Sequence, residues 1–226
     1  MLSVIIPTLD AAESLPRTLH ALIPAVVCGL IKEVCIVDGG SKDATPEVAD
    51  AAGCHLLRSA PGRGRQLAMG AKAARGDWFL FLHADTALSP GWEQEVAHFI
   101  GQRDSGDFAG AFRFALDDFR PAARRLEAIV AWRCKLFALP YGDQGLLIHR
   151  KLYEALGGYD SLPLMEDVDF IRRIGRKRLI HFQAAAQTSA KRYQADGYFL
   201  RPLRNLLCLS LYFLRFPPGL IARLYG

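Results

Sequence analysis

The sequence predicts an α/β protein in which a mostly parallel sheet is flanked by helices. Short apolar runs alternate with helical segments four times within residues 1–104. Consecutive parallel strands need a crossover connection, which is usually a helix packed on a face of the sheet. The chain has 226 residues, of which 51% are hydrophobic and 23% charged, and this is the balance of a globular chain with one full core.

The predicted elements are bounded by proline, glycine and polar residues. The helix at 46–52, for example, follows the N-cap residue Thr45 and has Pro46 at its first position. The predicted strands are 3–7, 33–38, 55–58 and 77–83, and the helices between them are 14–27, 46–52 and 65–75. After residue 105 the pattern loosens to a strand at 110–116, a helix at 121–138 and a strand at 146–149.

Cysteine usage and hydropathy indicate a cytoplasmic protein. The five cysteines are odd in number and scattered, which disfavours both a disulfide framework and a zinc site. No basic leader precedes the first strand, so a signal peptide is not expected. The longest apolar stretches, 18–31 and 205–214, are too short for a membrane-spanning helix.

The C-terminal tail is strongly basic. Residues 1–171 carry 17 Lys/Arg and 22 Asp/Glu, whereas residues 172–226 carry 11 Lys/Arg and one acid, Asp196. Leucines and aromatic residues are interleaved with these arginines, which favours a membrane surface over nucleic acid. We therefore expect no nucleic-acid partner, and a tail that docks on the inner face of an anionic membrane. Packing on the sheet or a homodimer interface is the alternative.

Four carboxyl ends of predicted strands carry polar residues. Ligands of parallel α/β sheets bind beyond these ends, so the residues there are site candidates. They are Thr8 and Asp10 after the first strand, Asp38 after the second, residues 62–65 after the third, and His83 and Asp85 after the fourth.

An acidic window lies further along the chain, where Glu166, Asp167 and Asp169 are followed by two arginines. If the window opens a helix, Glu166 and Asp169 share one face while Asp167 points elsewhere. One carboxylate can then be aimed into a cleft as a general base. The alternative is that acids stand here only because a helix N-terminus favours negative charge.

Four motifs in sequence resemble family 2 glycosyltransferases, the inverting nucleotide-sugar enzymes with the GT-A (Rossmann-like) fold. They are Ser-Val-Ile-Ile-Pro-Thr-Leu-Asp, Val-Asp-Gly-Gly-Ser-Lys-Asp-Ala-Thr, Gly-Asp-Trp-Phe-Leu-Phe-Leu-His-Ala-Asp and Gly-Gly-Tyr-Asp followed by Glu-Asp-Val-Asp. The resemblance implies a GT-A domain over 1–190, with a nucleotide-binding half at 1–104 and an acceptor half at 105–190. Residues 191–226 are expected to form a C-terminal amphipathic helical segment.

The resemblance also implies a donor site for a nucleotide sugar. Pro7, Thr8 and Asp10 would line the nucleotide pocket, and Asp38 would bind the base or ribose. A strand-end Asx turn is the alternative role for Asp38. The family usually has asparagine in place of Asp10 and a second aspartate in place of Gly39.

Charged residues next to this pocket are expected to meet the diphosphate. Arg63 and Arg65 stand between glycines, and arginine suits bidentate phosphate contact, although a solvated loop is the alternative. The segment His83-Ala84-Asp85 occupies the place of the family's Asp-x-Asp motif. Asp85 is thus the expected ligand of Mn²⁺ or Mg²⁺. His83 is a second ligand, a ribose contact or a structural histidine, and Ala84 is expected beside the donor.

The implied reaction is a single in-line displacement by an acceptor hydroxyl. Asp167 is the expected general base and Glu166 its alternative, because sequence alone does not separate them. Asp143 and Gln144 are expected to contact the acceptor or the sugar, with a simple turn as the alternative. The acceptor is unassigned, and the basic tail suggests a lipid-linked one.

Two other classes of protein fit parts of the sequence. A sugar nucleotidyltransferase would need a glycine-rich basic signature after the first strand, which Pro7-Thr8-Leu9-Asp10 does not provide. A catalytically silent nucleotide-sugar-binding or membrane scaffold protein would explain the departures at His83 and Gly39. Retention of the three carboxylates at 166, 167 and 169 argues against it.

Overall fold

The computed structural model describes residues 1–225 and builds them around one sheet. The strands are β1 (Leu2–Thr8), β2 (Ile31–Asp38), β3 (His55–Arg58), β4 (Trp78–Phe81), β5 (Thr86–Leu88), β6 (Ala109–Leu116), β7 (Leu146–His149) and β8 (Leu179–Thr188). The helices are α1 (Leu15–His20), α2 (Ile23–Val27), α3 (Thr45–Ala51), α4 (Arg63–Ala73), α5 (Trp92–Ile100), α6 (Pro121–Phe137), α7 (Arg150–Ala155), α8 (Glu166–Ile174), α9 (Lys191–Asp196), α10 (Leu200–Phe213) and α11 (Pro218–Tyr225).

The strand order of the sheet is β3-β2-β1-β4-β7-β6-β8-β5. The first four strands are parallel, β7 is antiparallel to both of its neighbours, and β8 runs parallel to β6. Side chains of β1 alternate between two core clusters, one containing Trp92 and Phe112, the other Phe79 and Phe170. Helices thus cover both faces, which confirms the predicted α/β class.

Two helices differ from their predicted bounds. The helix expected at 14–27 is broken into α1 and α2, and Pro24 lies in the first turn of α2. Proline lacks an amide hydrogen and starts helices more readily than it continues them. Helix α4 begins at Arg63, two residues early, so the glycine-rich segment is a helix start. A Cβ on Gly64 would lie 2.2 Å from the Asp160 carbonyl oxygen, so this helix start packs closely on a neighbouring loop.

Strand β8 is the main element that the sequence pattern did not predict. Its sequence, LIHFQAAAQT, is rich in alanine and glutamine, which have little intrinsic preference for strands. It forms because β6 and β5 pair with its two edges. Tertiary pairing therefore decides its structure.

The C-terminal segment packs on the domain through specific hydrogen bonds. The Tyr212 hydroxyl donates to Asp169 Oδ1 at 2.9 Å, and the Tyr198 hydroxyl donates to Asp118. Arg201 and Arg204 both pair with Asp196, and the side chain of Arg201 is only 10% exposed. Gly226 of the predicted 191–226 segment lies outside the described residues.

Within residues 1–225, none of the helices combines the length and the apolar character needed to cross a bilayer.

Candidate active site

A cleft of about 110 Å³ opens beyond the carboxyl end of β4. Five of the predicted site residues line it: Arg63, His83, Asp85, Asp143 and Asp167. Its other lining residues are Tyr141, Gly142, Thr188, Ser189, Arg192, Tyr193, Arg201, Asn205 and Tyr225. The structure therefore brings the end of the fourth strand, the acidic helix and the C-terminal segment to one place.

Asp167 is the acid of the window that faces the cleft. Its Oδ2 accepts a hydrogen bond from the Gly142 amide at 2.7 Å, and its Oδ1 accepts one from the Val168 amide at 2.8 Å. Helix α8 starts directly after Met165, which has a left-handed backbone with φ 66°. A non-glycine residue in this region stores strain of about 1–3 kcal/mol, which is typical of functional turns.

The two neighbouring acids have other surroundings. Asp169 pairs with Arg173 at 2.8 Å and does not line the cleft. Glu166 is 2% exposed and lies 3.5 Å from Arg63 Nη1. Burial, with a smaller contribution from the Asp167 charge, raises the pKa of Glu166 from 4.5 to about 7, against the opposing effect of Arg63. Of the two candidate bases, Asp167 is thus the one that reaches the cleft.

The short 3₁₀ helix Gly142–Gln144 closes the cleft opposite β4. A Cβ on Gly142 would lie 2.6 Å from His83 Nε2 and 3.4 Å from Asp167 Oδ2, so only glycine allows this approach. Burial raises the pKa of Asp143 to about 6, and its Oδ1 has no hydrogen-bond partner. Asp143 therefore lines the cleft with a carboxyl group whose Oδ1 has no internal partner.

Gln144 has a different role from the predicted one. It is 2% exposed, its Nε2 donates to the Phe112 carbonyl oxygen at 2.9 Å, and its Oε1 accepts from the Tyr141 amide at 3.3 Å. The side chain is committed to holding the turn, so the expected contact with acceptor or sugar is corrected to a structural role.

Asp85 and His83 offer a cation two ligands of different type. Asp85 lines the cleft, and its only side-chain hydrogen bonds in the described structure are long ones, 3.5 Å, from the Thr86 and Thr188 hydroxyls. Burial, together with the charges of Arg63 and Arg192, holds the pKa of His83 well below its usual range. A neutral imidazole has a free lone pair, so carboxylate and imidazole together fit Mn²⁺, whereas Mg²⁺ would be held through the Asp85 oxygens.

Ala84, predicted beside the donor, is instead part of the core. It is 8% exposed, and its carbonyl oxygen accepts a hydrogen bond from the Thr18 hydroxyl at 2.9 Å.

A second set of potential metal ligands lies on β2 and β3, where donor atoms of Glu33, Cys35 and His55 are within 4.8 Å of one another. Glu33 already accepts from Ser3 and pairs with Arg75 at 2.9 Å. Burial raises the pKa of the Cys35 thiol to about 11, so the thiolate that would bind a metal is disfavoured. This cluster does not fit an ion.

The carboxylate of Asp38, which was expected to bind base or ribose, accepts hydrogen bonds from the loop that follows it. It accepts from the Thr8 hydroxyl at 3.2 Å and from the Gly40 and Ser41 amides, each at 3.0 Å, and from the Ser41 hydroxyl. Burial raises the pKa of Asp38, but these hydrogen bonds outweigh it and hold the pKa below the usual value. The Asx-turn alternative describes this residue, and it shapes the pocket without a free oxygen.

The sequence reading missed Gln66, which joins the ends of β1 and β2. Its Nε2 donates to the Thr8 carbonyl oxygen at 2.9 Å and to that of Val37 at 2.7 Å. A Cβ on Gly39 would lie 3.1 Å from this nitrogen, so the Gln66 side chain packs closely on the glycine that stands where the family usually has aspartate. The sequence does contain a signal for this role, because Gln66 is a polar residue on the sheet-facing side of the predicted helix 65–75.

The remaining predicted donor residues stand at the rim or inside the sheet. Asp10 is exposed and accepts from the Lys42 amide at 2.7 Å, Pro7 is buried in β1, and Arg65 is exposed and does not line the cleft. The solvated-loop alternative describes Arg65.

The C-terminal segment supplies cleft residues that the sequence reading assigned to a membrane surface. Arg192 and Tyr193 come from α9, Arg201 and Asn205 from α10, and Tyr225 from α11. Burial raises the pKa of the Tyr193 hydroxyl above its usual range, so this group stays protonated and can donate. The regular alternation of arginine with apolar residues concealed this role.

Comparison with known proteins gives one consistent result. Residues 3–162 match the family model described as glycosyl transferase family 2. A PGL/p-HBAD biosynthesis glycosyltransferase of Mycobacterium bovis is 37% identical over 184 residues, covering 75% of this chain and 68% of the relative.

Among solved structures, S. aureus TarS 1-349 superposes with a TM-score of 0.62 at 15% identity, covering 99% of this chain and 69% of that chain. Glucosyl-3-phosphoglycerate synthase from Mycobacterium tuberculosis, in complex with Mn²⁺, UDP and glucosyl-3-phosphoglycerate, superposes with a TM-score of 0.55 at 20% identity, covering 84% and 70%. These likenesses confirm the predicted GT-A architecture.

Proposed function

The chain belongs to glycosyl transferase family 2 and is a glycosyltransferase, and from this premise we propose that it moves a sugar from a nucleoside diphosphate sugar to an acceptor hydroxyl, with inversion and a divalent cation. The observation that carries the proposal is that Asp167 and Asp85 line the same cleft. An acid that can take a proton and an acid that can hold a cation thus line one space.

The donor would lie across the carboxyl ends of β1, β2 and β4. Two observations support this position: the loop after β2 is closed by Asp38 and Gln66, and Arg63 stands at the N-terminus of α4, where backbone amides favour phosphate. TarS has been solved with UDP-GlcNAc and the synthase with UDP, so a uridine nucleotide is the donor we propose.

Asp85, with His83, would hold Mn²⁺ or Mg²⁺. When bound, the cation neutralises charge on the diphosphate leaving group. Arg63 and Arg192 line the same cleft and would add positive charge on the phosphate side.

Asp167 would act as the general base. Its Oδ2 is fixed by the Gly142 amide, so the carboxylate keeps one orientation while it receives the proton of the acceptor hydroxyl. The acceptor oxygen bonds to the anomeric carbon as the bond from that carbon to the diphosphate breaks, and attack from the opposite side inverts the configuration. A positioned base of this kind contributes about 10²–10⁴ in rate.

A lipid-linked acceptor and peripheral membrane association complete the proposal. Leu214, Phe216, Leu220 and Leu224 are each about half exposed or more at the C-terminal end, and the basic residues Arg215 and Arg223 are exposed there too. Apolar and cationic side chains together favour an anionic membrane surface. Binding to anionic vesicles would support this association. A lack of vesicle binding together with dimer formation would instead assign the same side chains to a homodimer interface.

A thermal-shift screen tests the donor assignment. UDP-, GDP-, CMP- and dTDP-sugars are each added with Mn²⁺ and with EDTA, because a ligand of the native state raises the melting temperature by mass action. We expect UDP-sugars with Mn²⁺ to give the largest shift. Equal shifts with all four nucleotides would contradict the uridine preference, and no shift with any of them would contradict a nucleotide-sugar site here.

A further inference from the structure

A large apolar groove runs beside the cleft, between α6 and α10. Its volume is about 910 Å³, near the upper end of the range of about 300–1,000 Å³ found for sites that hold drug-sized organic ligands. Ile129, Trp132 and Phe137 line it from α6, and Leu203 and Leu206 line it from α10. All five side chains are more than half exposed, which is unusual for large apolar residues in such number.

The groove adjoins the reaction cleft. Four residues, Tyr141, Asp143, Tyr193 and Asn205, line both spaces. The groove is therefore apolar along its length and polar at one end, and that end meets the space in front of Asp167.

Two polar atoms at the junction lack partners. Asp143 Oδ1 and Asn205 Oδ1 are buried and make no hydrogen bond in the described structure. A buried polar atom without a partner costs about 1–3 kcal/mol. Such atoms at the end of a groove are those that a polar head group would satisfy.

We propose that this groove binds the apolar chain of the acceptor, an alcohol carried on an extended alkyl or isoprenoid chain, with its hydroxyl at the junction beside Asp143 and Asn205. The inference rests on the proposed function, because it uses the same cleft and the same base. The alcohol oxygen bonds to the anomeric carbon, the bond from that carbon to the diphosphate oxygen breaks, and the alcohol proton passes to Asp167.

The shape of the surface distinguishes this occupant from two others. A bilayer surface is flat and would leave a concave groove of this volume unfilled. A second copy of the chain would cover the exposed face, but nothing would then pair with the polar atoms at the junction. A single chain with a polar end satisfies both parts of the site.

Binding of n-alkanols from octanol to tetradecanol, below their solubility limits and without donor, tests the groove directly. Trp132 lines the groove and is 62% exposed, whereas Trp78 and Trp92 are buried, so a blue shift of the fluorescence reports its occupancy. Affinity should rise about fourfold per added methylene until the groove is full. An affinity that does not change with chain length would overturn the proposal.

Two adjacent leucines of α10 provide a matched pair of variants. Leu206 lines the groove at 56% exposure, and Leu207 does not line it at 52% exposure. Leu206→Glu should weaken dodecanol binding at least tenfold, and Leu207→Glu less than twofold. Equal losses, or a change of oligomeric state by light scattering in both variants, would assign the face to a membrane or a second copy instead.

UDP affinity, measured by calorimetry on the same variants, should be unchanged. If the parent protein bound dodecanol but not UDP, the proposed donor site would be refuted while the groove would remain supported as a binding site for the apolar chain. UDP binding without dodecanol binding would refute the groove alone.

Discussion

The donor edge of the sheet and the acceptor side of the cleft differ in how their polar groups are satisfied. At the donor edge, Asp38 accepts four hydrogen bonds and Gln66 donates to two carbonyl oxygens. On the acceptor side, Asp143 and Asn205 carry buried oxygens without a partner. The first region is complete by itself, whereas the second becomes complete only with a ligand.

The pKa values follow the same division. Burial raises the pKa values of both Glu166 and Asp143. The pKa of Asp38 is instead lowered by its hydrogen bonds. The shape of the donor edge and the reactive groups of the cleft are therefore held by separate parts of this chain, and variants in each part should have different effects.

The largest effect is expected at Asp167. Asp167→Asn keeps the shape of the side chain but cannot take a proton, so kcat should fall by about 10²–10⁴ while UDP affinity stays within about threefold. Asp169→Asn, the same change two residues later, should retain activity because Asp169 binds Arg173 and Tyr212. Similar kcat values for both variants would remove Asp167 as the base.

Gly142→Ala tests the contact of the turn with the cleft. The new Cβ would lie 2.6 Å from His83 Nε2, so the turn must move, and a displacement of about 1 Å lowers kcat by up to about 10²-fold. The control is Gly219→Ala in α11, where no atom lies within 4 Å of the added carbon. Equal kcat in parent and Gly142→Ala would show that the turn does not position the reaction.

Asp38→Asn tests the donor edge. An amide cannot accept all four hydrogen bonds, so the free energy of unfolding should fall by about 1–3 kcal/mol in a urea titration. UDP affinity of the folded protein should change less than about threefold. The exposed Asp50→Asn on α3 should change stability by less than about 0.5 kcal/mol. A large loss of UDP affinity without a loss of stability would instead indicate that Asp38 binds the base or ribose directly.

The smallest effect concerns the pH dependence of stability. Glu166 has a folded pKa of about 7 and an unfolded pKa near 4.5, so between these values the folded state binds more protons and its stability falls as pH rises. Glu166→Gln removes this dependence, so the melting temperature of the variant relative to the parent should be higher at pH 8 than at pH 4.5. A difference that does not vary with pH would mean that Glu166 stays ionised in the folded protein.

The sequence predicted the donor half of the molecule well because local signals specify it. Strand β3 and the end of β2 lie where the apolar runs placed them, and His83 and Asp85 follow β4 at the cleft as expected. Strand ends in a parallel sheet converge by geometry, so residues far apart in sequence could be assigned to one site.

The acceptor side was predicted less well because tertiary packing decides it. No local sequence pattern shows that the Gln144 side chain donates its hydrogen bond to the Phe112 carbonyl oxygen. None shows that Arg201 forms a salt bridge with Asp196. Strand β8 depends on pairing with β6, more than 60 residues earlier, and Tyr193 and Asn205 meet the end of β4 at the cleft only in the fold. The sequence pattern of the C-terminal segment predicts an amphipathic helix face. Which residues pack against that face is seen only in the folded structure.

Calorimetric titration of UDP into the parent protein and into Asp85→Ala, each with Mn²⁺ and with EDTA, tests whether the donor binds through a cation at Asp85. If it does, the parent protein should bind UDP at least about tenfold more tightly in Mn²⁺ than in EDTA. Asp85→Ala should show the weaker affinity in both buffers. Equal affinity of the parent protein in Mn²⁺ and EDTA would contradict a cation at Asp85 and, with it, the proposed mode of donor binding.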